Sequence, residues 1–176
     1  MDKSTNEILL DWKKSADYGT KVHEEIENFI LNTTPVREKM SIHGLRWLKS
    51  FISNGKFAVY PEVIIYSEEL KLSGTIDLLI KNLETDKYII MDWKTSKKIG
   101  KKAFNNKKGI HPASKNIDDT KFNHYSLQLS LYRFLLENYY EINIEGHAIL
   151  HLKENECLRL NTKYMYNDVF NMTKHC

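Results

Sequence analysis

The strongest constraint on the fold is a short apolar run that ends in charged residues. The apolar residues 89–91 are followed directly by Asp92, Trp93 and Lys94. A continuous apolar run is typical of a strand buried on both faces, and side chains alternate along a strand, so Asp92 and Lys94 point to the same face. A surface salt bridge at a strand end is the plain alternative. Because buried charges are costly unless they are paired or bound to a metal, this strand end predicts an ion pair, a metal ligand or both.

A second aspartate lies within the preceding strand pattern. Residues 73–80 read Ser-Gly-Thr-Ile-Asp-Leu-Leu-Ile, and alternation places Asp77 opposite a face that carries Ile76, Leu78 and Ile80. Alone, Asp77 is equally well explained as an edge-strand carboxylate in solvent. If the two strands pair, two carboxylates and one ammonium meet in a small space, a set that suits Mg²⁺-assisted attack of water on a phosphodiester.

The composition fits one globular domain. Of 176 residues, 41% are hydrophobic and 28% are charged, which allows a single core. We treat 1–176 as one domain, with an N-terminal helical part over 1–55 and a catalytic core over 56–176. No apolar run predicts a membrane-spanning helix and no signal-peptide pattern is present. We therefore expect no membrane association and an intracellular location, in the cytoplasm of a bacterium or of a virus-infected host.

Apolar periodicity predicts the element order ααβββαββα. Helical spacing is expected over residues 17–31, with Asp17 as N-cap, and over 36–53, 121–140 and 161–173. Strand patterns cover residues 57–66, 70–80, 87–94, 142–152 and 156–160. Short polar connections join the first three strands, which predicts an antiparallel meander. We therefore predict an α/β (α+β) fold, a mixed central β-sheet flanked by helices on both faces.

The polar segment after the third strand is strongly basic. It contains six lysines without an intervening acid: Lys97, Lys98, Lys101, Lys102, Lys107 and Lys108. Charge runs are most often solvated loops, but this one begins three residues after Lys94. At the mouth of a phosphodiester site it would neutralise phosphates, and Phe104 and His111 within it are able to stack on bases.

Four of these segments together resemble the PD-(D/E)xK nuclease superfamily. The resemblance lies first in Gly74-Thr75-Ile76-Asp77, followed by Asp92-Trp93-Lys94-Thr95. Two further segments are similar to its RecB-like exonuclease branch: residues 19–27, a helix with a central histidine, and residues 125–132, which contain Gln-x-x-x-Tyr. The resemblance runs from about Gly19 to Tyr140 and implies a restriction-endonuclease-like core. The proline that usually precedes the first aspartate is absent here, as in many RecB-like members.

The resemblance implies a metal site. Asp77 and Asp92 would hold Mg²⁺ or Mn²⁺, helped by His23 and by the backbone carbonyl of Trp93, and Lys94 would position the attacking water. A lone helical histidine is otherwise most often a boundary residue of the core. Gly19 is expected to permit close approach of another element, and Gly74 is expected to mark either a bulge or a close approach to the backbone.

Three other polar residues have two interpretations each. Gln128 and Tyr132 are spaced i, i+4 and share a helix face. The resemblance implies that their side chains contact the substrate backbone or the lysine. The plain alternative is that they belong to a stripe of side chains that packs in the core. Glu62 is either a third carboxylate near the metals or a solvated charge at a strand end, and we favour the solvated charge. Trp12, Trp47 and Trp93 are expected in the core or at its boundary.

The resemblance implies a metal-dependent DNA nuclease, most simply an exonuclease, that leaves a 5′-phosphate. No Walker-type phosphate loop is present, so a helicase or recombination partner would be a separate chain. Relatives with an iron–sulfur cluster need four cysteines, and the sequence has only Cys157 and Cys176. Two alternatives stay open: an RNA endonuclease similar to the cap-snatching enzymes of segmented RNA viruses, and a non-catalytic DNA-binding protein on the same fold.

Overall fold

The computed structural model describes residues 3–174 and has the α+β architecture expected from the sequence. The order ααβββαββα is confirmed, although α4 begins at Tyr166 rather than at Asn161, which completes β5. None of the helices in this part of the chain combines the length and the apolar character that crossing a bilayer requires. The elements are α1 (Thr5–Asn32), α2 (Lys39–Phe51), β1 (Phe57–Ser67), β2 (Leu72–Asn82), β3 (Tyr88–Lys94), α3 (Lys121–Tyr139), β4 (Ile144–Leu152), β5 (Cys157–Asn161) and α4 (Tyr166–Thr173).

Across residues 3–174 the strands form one mixed sheet in the order β1-β2-β3-β4-β5. β1 and β2 are antiparallel, as are β2 and β3, which confirms the predicted meander. β3 and β4 run parallel, and β5 returns antiparallel to β4. A parallel pair needs a long crossover, and the basic segment and α3 supply it. The end of β3 is therefore followed at once by the lysine-rich loop.

Helices cover both faces of the sheet, as predicted. Burial of each aliphatic side chain in these two layers contributes about 1.5–3 kcal/mol. The layer under α1 and α2 contains Val22, Ile26, Leu45, Leu48, Leu78, Ile80, Met91, Trp93 and Leu150. The layer under α3 and α4 contains Ile65, Ile76, Ile90, Leu129, Leu135, Leu136, Ile149 and Val169.

Helix α1 begins at Thr5, far earlier than predicted. Ser4 is its N-cap: the Ser4 hydroxyl accepts from the backbone N–H of Glu7, and the Glu7 carboxylate accepts from the N–H of Ser4, a capping box. The prediction of Asp17 as N-cap is wrong, because Asp17 is an exposed residue inside this helix. Periodicity missed the first half because residues 5–16 bury no side chain and so carry no core-facing stripe.

Strand β2 changes faces at Asp77. Ile76 packs in the layer under α3, whereas Leu78 and Ile80 pack under α1 and α2. The expectation that these three residues share one face is therefore wrong. On the neighbouring strand Glu62 has a φ of 49°, and the ladder of β1 and β2 leaves Glu62 and Asp77 unpaired. At this irregularity the side chains of β2 change from one core layer to the other. It lies beside the left-handed backbone of Glu62.

Candidate metal centre

A cleft of about 980 Å³ opens between α1 and the end of β3. One face of α1 lines it, together with residues 93–96 and with Lys121 and Tyr125 of α3. A Cβ at Gly19 would lie 3.0 Å from Thr95 Oγ1, so the expected close approach at Gly19 is confirmed. The glycine lets the chain after β3 lie directly against α1.

Three potential ligands converge at the base of this cleft. One ligand atom each of His23, Glu62 and Asp77 lies within 4.8 Å of the other two. The Nδ1 of His23 is 3.5 Å from Asp77 Oδ2, and the same carboxylate oxygen accepts a hydrogen bond of 2.7 Å from the backbone N–H of Trp93. Because Trp93 holds Asp77 through its backbone, the side chain of Trp93 remains free to pack in the core on the other side of the strand.

Glu62 is the member of this group that sequence reasoning placed elsewhere. It was favoured as a solvated charge, but it is only partly exposed and lines the cleft. Burial raises its pKa, and repulsion from Glu27 and Asp92 raises it further. No pattern in the sequence predicts that Glu62 lies near His23 and Asp77. The direction of its side chain depends on its left-handed φ and not on regular strand alternation.

Asp92 and Lys94 share a strand face, as predicted, and form an ion pair. Lys94 Nζ lies 2.5 Å from Asp92 Oδ2, and the two side chains are 18% and 2% exposed. The ammonium of Lys94 is therefore in direct contact with a carboxylate that is almost fully buried.

Burial and mutual repulsion shift the pKa values of the acidic and basic groups of this site. Burial raises the pKa of Asp77 well above its usual range, and repulsion from Asp92 adds to the effect. Burial also raises the pKa of Asp92, which the attraction of Lys94 opposes. Burial and the nearby Lys94 lower the pKa of His23 to about 4, so its imidazole is neutral at pH 7. Crowded carboxylates beside a neutral imidazole fit a dication, with carboxylates suited to Mg²⁺ and the imidazole to Mn²⁺ or a later metal.

Gln128 and Tyr132 lie beside this group on α3. Gln128 Nε2 donates to Tyr132 Oη at 2.9 Å, and Tyr132 is buried. Its ring packs on Gly74, where a Cβ would lie 2.5 Å from the ring carbon Cε1, so the expected close approach at Gly74 is confirmed. Burial raises the pKa of Tyr132, and the charges of Asp92 and Lys94 also act on its hydroxyl. Tyr132 is thus both a packed residue and a neighbour of the charged cluster.

Tyr125 also lines the cleft, although the sequence analysis does not identify it as a site residue. Lys94 Nζ lies 4.9 Å from the centroid of its ring, a cation–π distance. The Tyr125 hydroxyl is 2.9 Å from Ser96 Oγ. The spacing i, i+3, i+7 of Tyr125, Gln128 and Tyr132 places all three along one helix face, a signal that was available in the sequence.

The structure brings one of the six loop lysines to the cleft. Lys97 lines it, whereas Lys108 is ion-paired with Asp118 and Lys101 lies 4.4 Å over the ring of Phe122. Three others, together with the 77%-exposed ring of Phe104, project from the loop: Lys98, Lys102 and Lys107. The ring of His111 is engaged within the loop, where its Nδ1 accepts from the N–H of Ala113.

Comparison with known proteins assigns no family to the chain. No protein-family model matches it, and no curated protein matches its sequence.

Proposed function

We propose that this protein is a Mg²⁺- or Mn²⁺-dependent nuclease that hydrolyses phosphodiester bonds in DNA, most simply as an exonuclease. The observation that supports the proposal is the convergence of His23, Glu62 and Asp77 beside the buried Asp92–Lys94 pair at the base of an open cleft. A dication bound there would activate water and neutralise charge on the phosphoryl group.

The ligands would come from β1, β2, β3 and α1. Asp77, Asp92 and Glu62 offer carboxylate oxygens, and the low pKa of His23 keeps its imidazole in the neutral form that binds metals. The backbone of Trp93 orients Asp77 through its N–H and would add its carbonyl oxygen. Because these groups lie on three neighbouring strands and on α1, they need no rearrangement to meet.

Lys94 acts in this proposal as a fixed cation rather than as a base. Burial lowers its pKa, but the attraction of Asp92 and Asp77 outweighs burial, so the pKa is raised overall and the amine stays protonated. A protonated amine is able to orient a water molecule and to stabilise charge that develops on phosphorus. The ring of Tyr125 and the carboxylate of Asp92 hold the ammonium in place.

The same geometry supports roles for residues around the centre. Gln128 and Tyr132 would contact the scissile strand or maintain the position of the cluster. Lys97 lines the cleft, and the three projecting loop lysines extend the positive charge beyond it, where they would contact phosphates. A helicase or recombination protein that prepares the substrate would be a separate partner.

The proposal is tested with end-labelled oligonucleotides, single- and double-stranded, of DNA and RNA, incubated with Mg²⁺, Mn²⁺ or chelator. We expect DNA cleavage only with metal, and its loss in Asp77→Asn and Asp92→Asn. The matched control is Asp86→Asn, an exposed aspartate paired with Lys81 away from the cleft, which should cleave like the wild type.

The other outcomes separate the alternatives. Preferential cleavage of RNA would favour the cap-snatching type of endonuclease. DNA binding without metal uptake or cleavage would favour the non-catalytic protein, and cleavage that survives Asp77→Asn would refute the assigned site.

A further inference from the structure

The first half of α1, which we call the arm (residues 5–16), extends beyond the packed body of the protein. The arm contains no buried residue, whereas Val22 and Ile26 in the second half are buried in the core. Its own contacts are local: the capping box of Ser4 and Glu7, and the ion pair of Lys3 with Asp11. A helix of 28 residues is about 42 Å long, so the arm forms a projecting wall of the cleft.

Trp12 on the arm is exposed and lines the cleft. Its surface is 68% accessible, in contrast to 2% for Trp93, and Trp47 stacks on Phe51 with centroids 5.1 Å apart. The expectation that Trp12 lies in the core or at its boundary is therefore wrong. Ile8, one turn earlier, faces the same space. Packing within the fold does not explain a large aromatic ring at this position.

Two lysines outside the arm also line the cleft. They are Lys97 and Lys121, and among the described residues neither forms a salt bridge; Lys121 Nζ is 3.4 Å from Ser96 Oγ. On the arm, Asp11 is ion-paired with Lys3, and the charge of Lys97 also acts on it and helps to lower its pKa. An exposed indole in the same cleft as two lysines without a salt bridge suits an unpaired nucleotide, with its base on the ring and its phosphate near a lysine.

Trp12 and His23 lie on the same face of the helix. Eleven residues separate them, and at about 1.5 Å per residue this is a distance of roughly 16 Å along the helix axis. Eleven residues also make about three full turns at 3.6 residues per turn, so the two side chains point in nearly the same direction. Stacked nucleotides in one strand are spaced by about 3.4 Å. The separation therefore corresponds to roughly five nucleotides between the ring and the metal centre.

From this geometry, and resting on the proposed function, we infer that Trp12 is a positioning residue that stacks on an unpaired nucleobase roughly five nucleotides from the scissile phosphate. The bases inside a duplex have both faces covered by neighbouring pairs and cannot stack on the ring. The cleft therefore takes a single-stranded segment in preference to a duplex.

Binding without cleavage provides the first test. A fluorescein-labelled oligothymidylate and a blunt duplex of equal length are titrated in chelator, and anisotropy gives Kd. Trp12→Ala should weaken oligothymidylate binding roughly 5- to 150-fold, the range for loss of one stacking aromatic, and Trp12→Phe should restore most of it. Duplex binding should change little. The matched control is Leu10→Ala, which removes a side chain on the same arm, 52% exposed but outside the cleft lining.

Two further measurements separate stacking from a structural effect and from the proposed function. Oligothymidylate should quench tryptophan fluorescence of the wild type and not of Trp12→Phe, and in the cleavage assay Trp12→Ala should raise KM more than it lowers kcat. Binding that depends on Trp12 in a protein that never cleaves would support the stacking of a nucleobase on Trp12 and would refute both the proposed function and the assigned distance to a scissile phosphate.

Three results would overturn the inference. The first is cleavage by the wild type together with unchanged oligothymidylate binding in Trp12→Ala. The second is an equal loss for oligothymidylate and duplex. The third is a wild-type protein that does not bind oligothymidylate.

Discussion

Replacement of Lys94 by alanine is the most informative change to the proposed centre. The variant removes the one ammonium that contacts Asp92, at 2.5 Å, and leaves all carboxylates in place. Loss of a positioned group of this kind typically lowers the rate by about 10²- to 10⁴-fold, which corresponds to roughly 2.7–5.5 kcal/mol of transition-state stabilisation. We expect a fall of this size in the rate of DNA hydrolysis.

The same substitution affects stability, and the structure shows why. Asp92 is 2% exposed, so Lys94→Ala leaves a buried carboxylate without its cation. Removal of one partner of a buried pair costs about 3–5 kcal/mol, unless the carboxyl becomes protonated. The double variant Lys94→Ala/Asp92→Asn removes both charges. We expect it to recover most of the lost free energy of unfolding and none of the activity.

The assay combines cleavage of end-labelled DNA with urea unfolding of each variant. The control is Lys81→Ala, which also removes a strand lysine paired with an aspartate, but here the aspartate, Asp86, is 82% exposed. Ion pairs with solvent-exposed partners contribute about 0–1 kcal/mol. Lys81→Ala should retain full activity. Wild-type activity in Lys94→Ala would refute the assignment of Lys94. If the double variant regained both stability and activity, Lys94 would have only a structural role.

Three other predictions follow from separate features. Saturating Mn²⁺, at about 100 times its Kd, should stabilise the protein by roughly 2.7 kcal/mol and raise Tm by about 5–10 °C. A thermal shift of the same size in Asp77→Asn would contradict the proposed ligands. Gly74→Ala should destabilise the protein by about 1–3 kcal/mol because the new methyl group meets the ring of Tyr132; Gly146→Ala, a strand glycine with open space at its Cβ, is the control and should be neutral in the same urea titration. Burial and Arg133 lower the pKa of His147 from 6.5 to about 4. As pH falls, the unfolded chain therefore binds a proton at this residue before the folded protein does, and the free energy of unfolding should decrease by roughly 3 kcal/mol between pH 6.5 and about 4. The same pH dependence of unfolding in His147→Asn would refute this.

Much of the fold follows from patterns that are local in the sequence. The element order was predictable because each strand or helix carries its own periodicity, and the period does not depend on which element packs against it. The shared face of Asp92 and Lys94 is equally local, since residues two apart on a regular strand always point the same way. Gly19 and Gly74 could be expected to permit close approach, although not to Thr95 and Tyr132 in particular.

The composition of the site depends on features that no local pattern contains. Glu62 joins His23 and Asp77 because its backbone adopts a left-handed conformation, and β2 exchanges its faces at the same point, against strict alternation. Trp12 is exposed because the helix that carries it continues past the sheet, and Tyr125 reaches Lys94 because α3 crosses the end of β3. The sequence therefore predicts which residues are able to bind a metal or a phosphate. The packing of α1 and α3 against the strand ends determines which of them meet, because burial and distance are properties of pairs of elements that lie far apart in the chain.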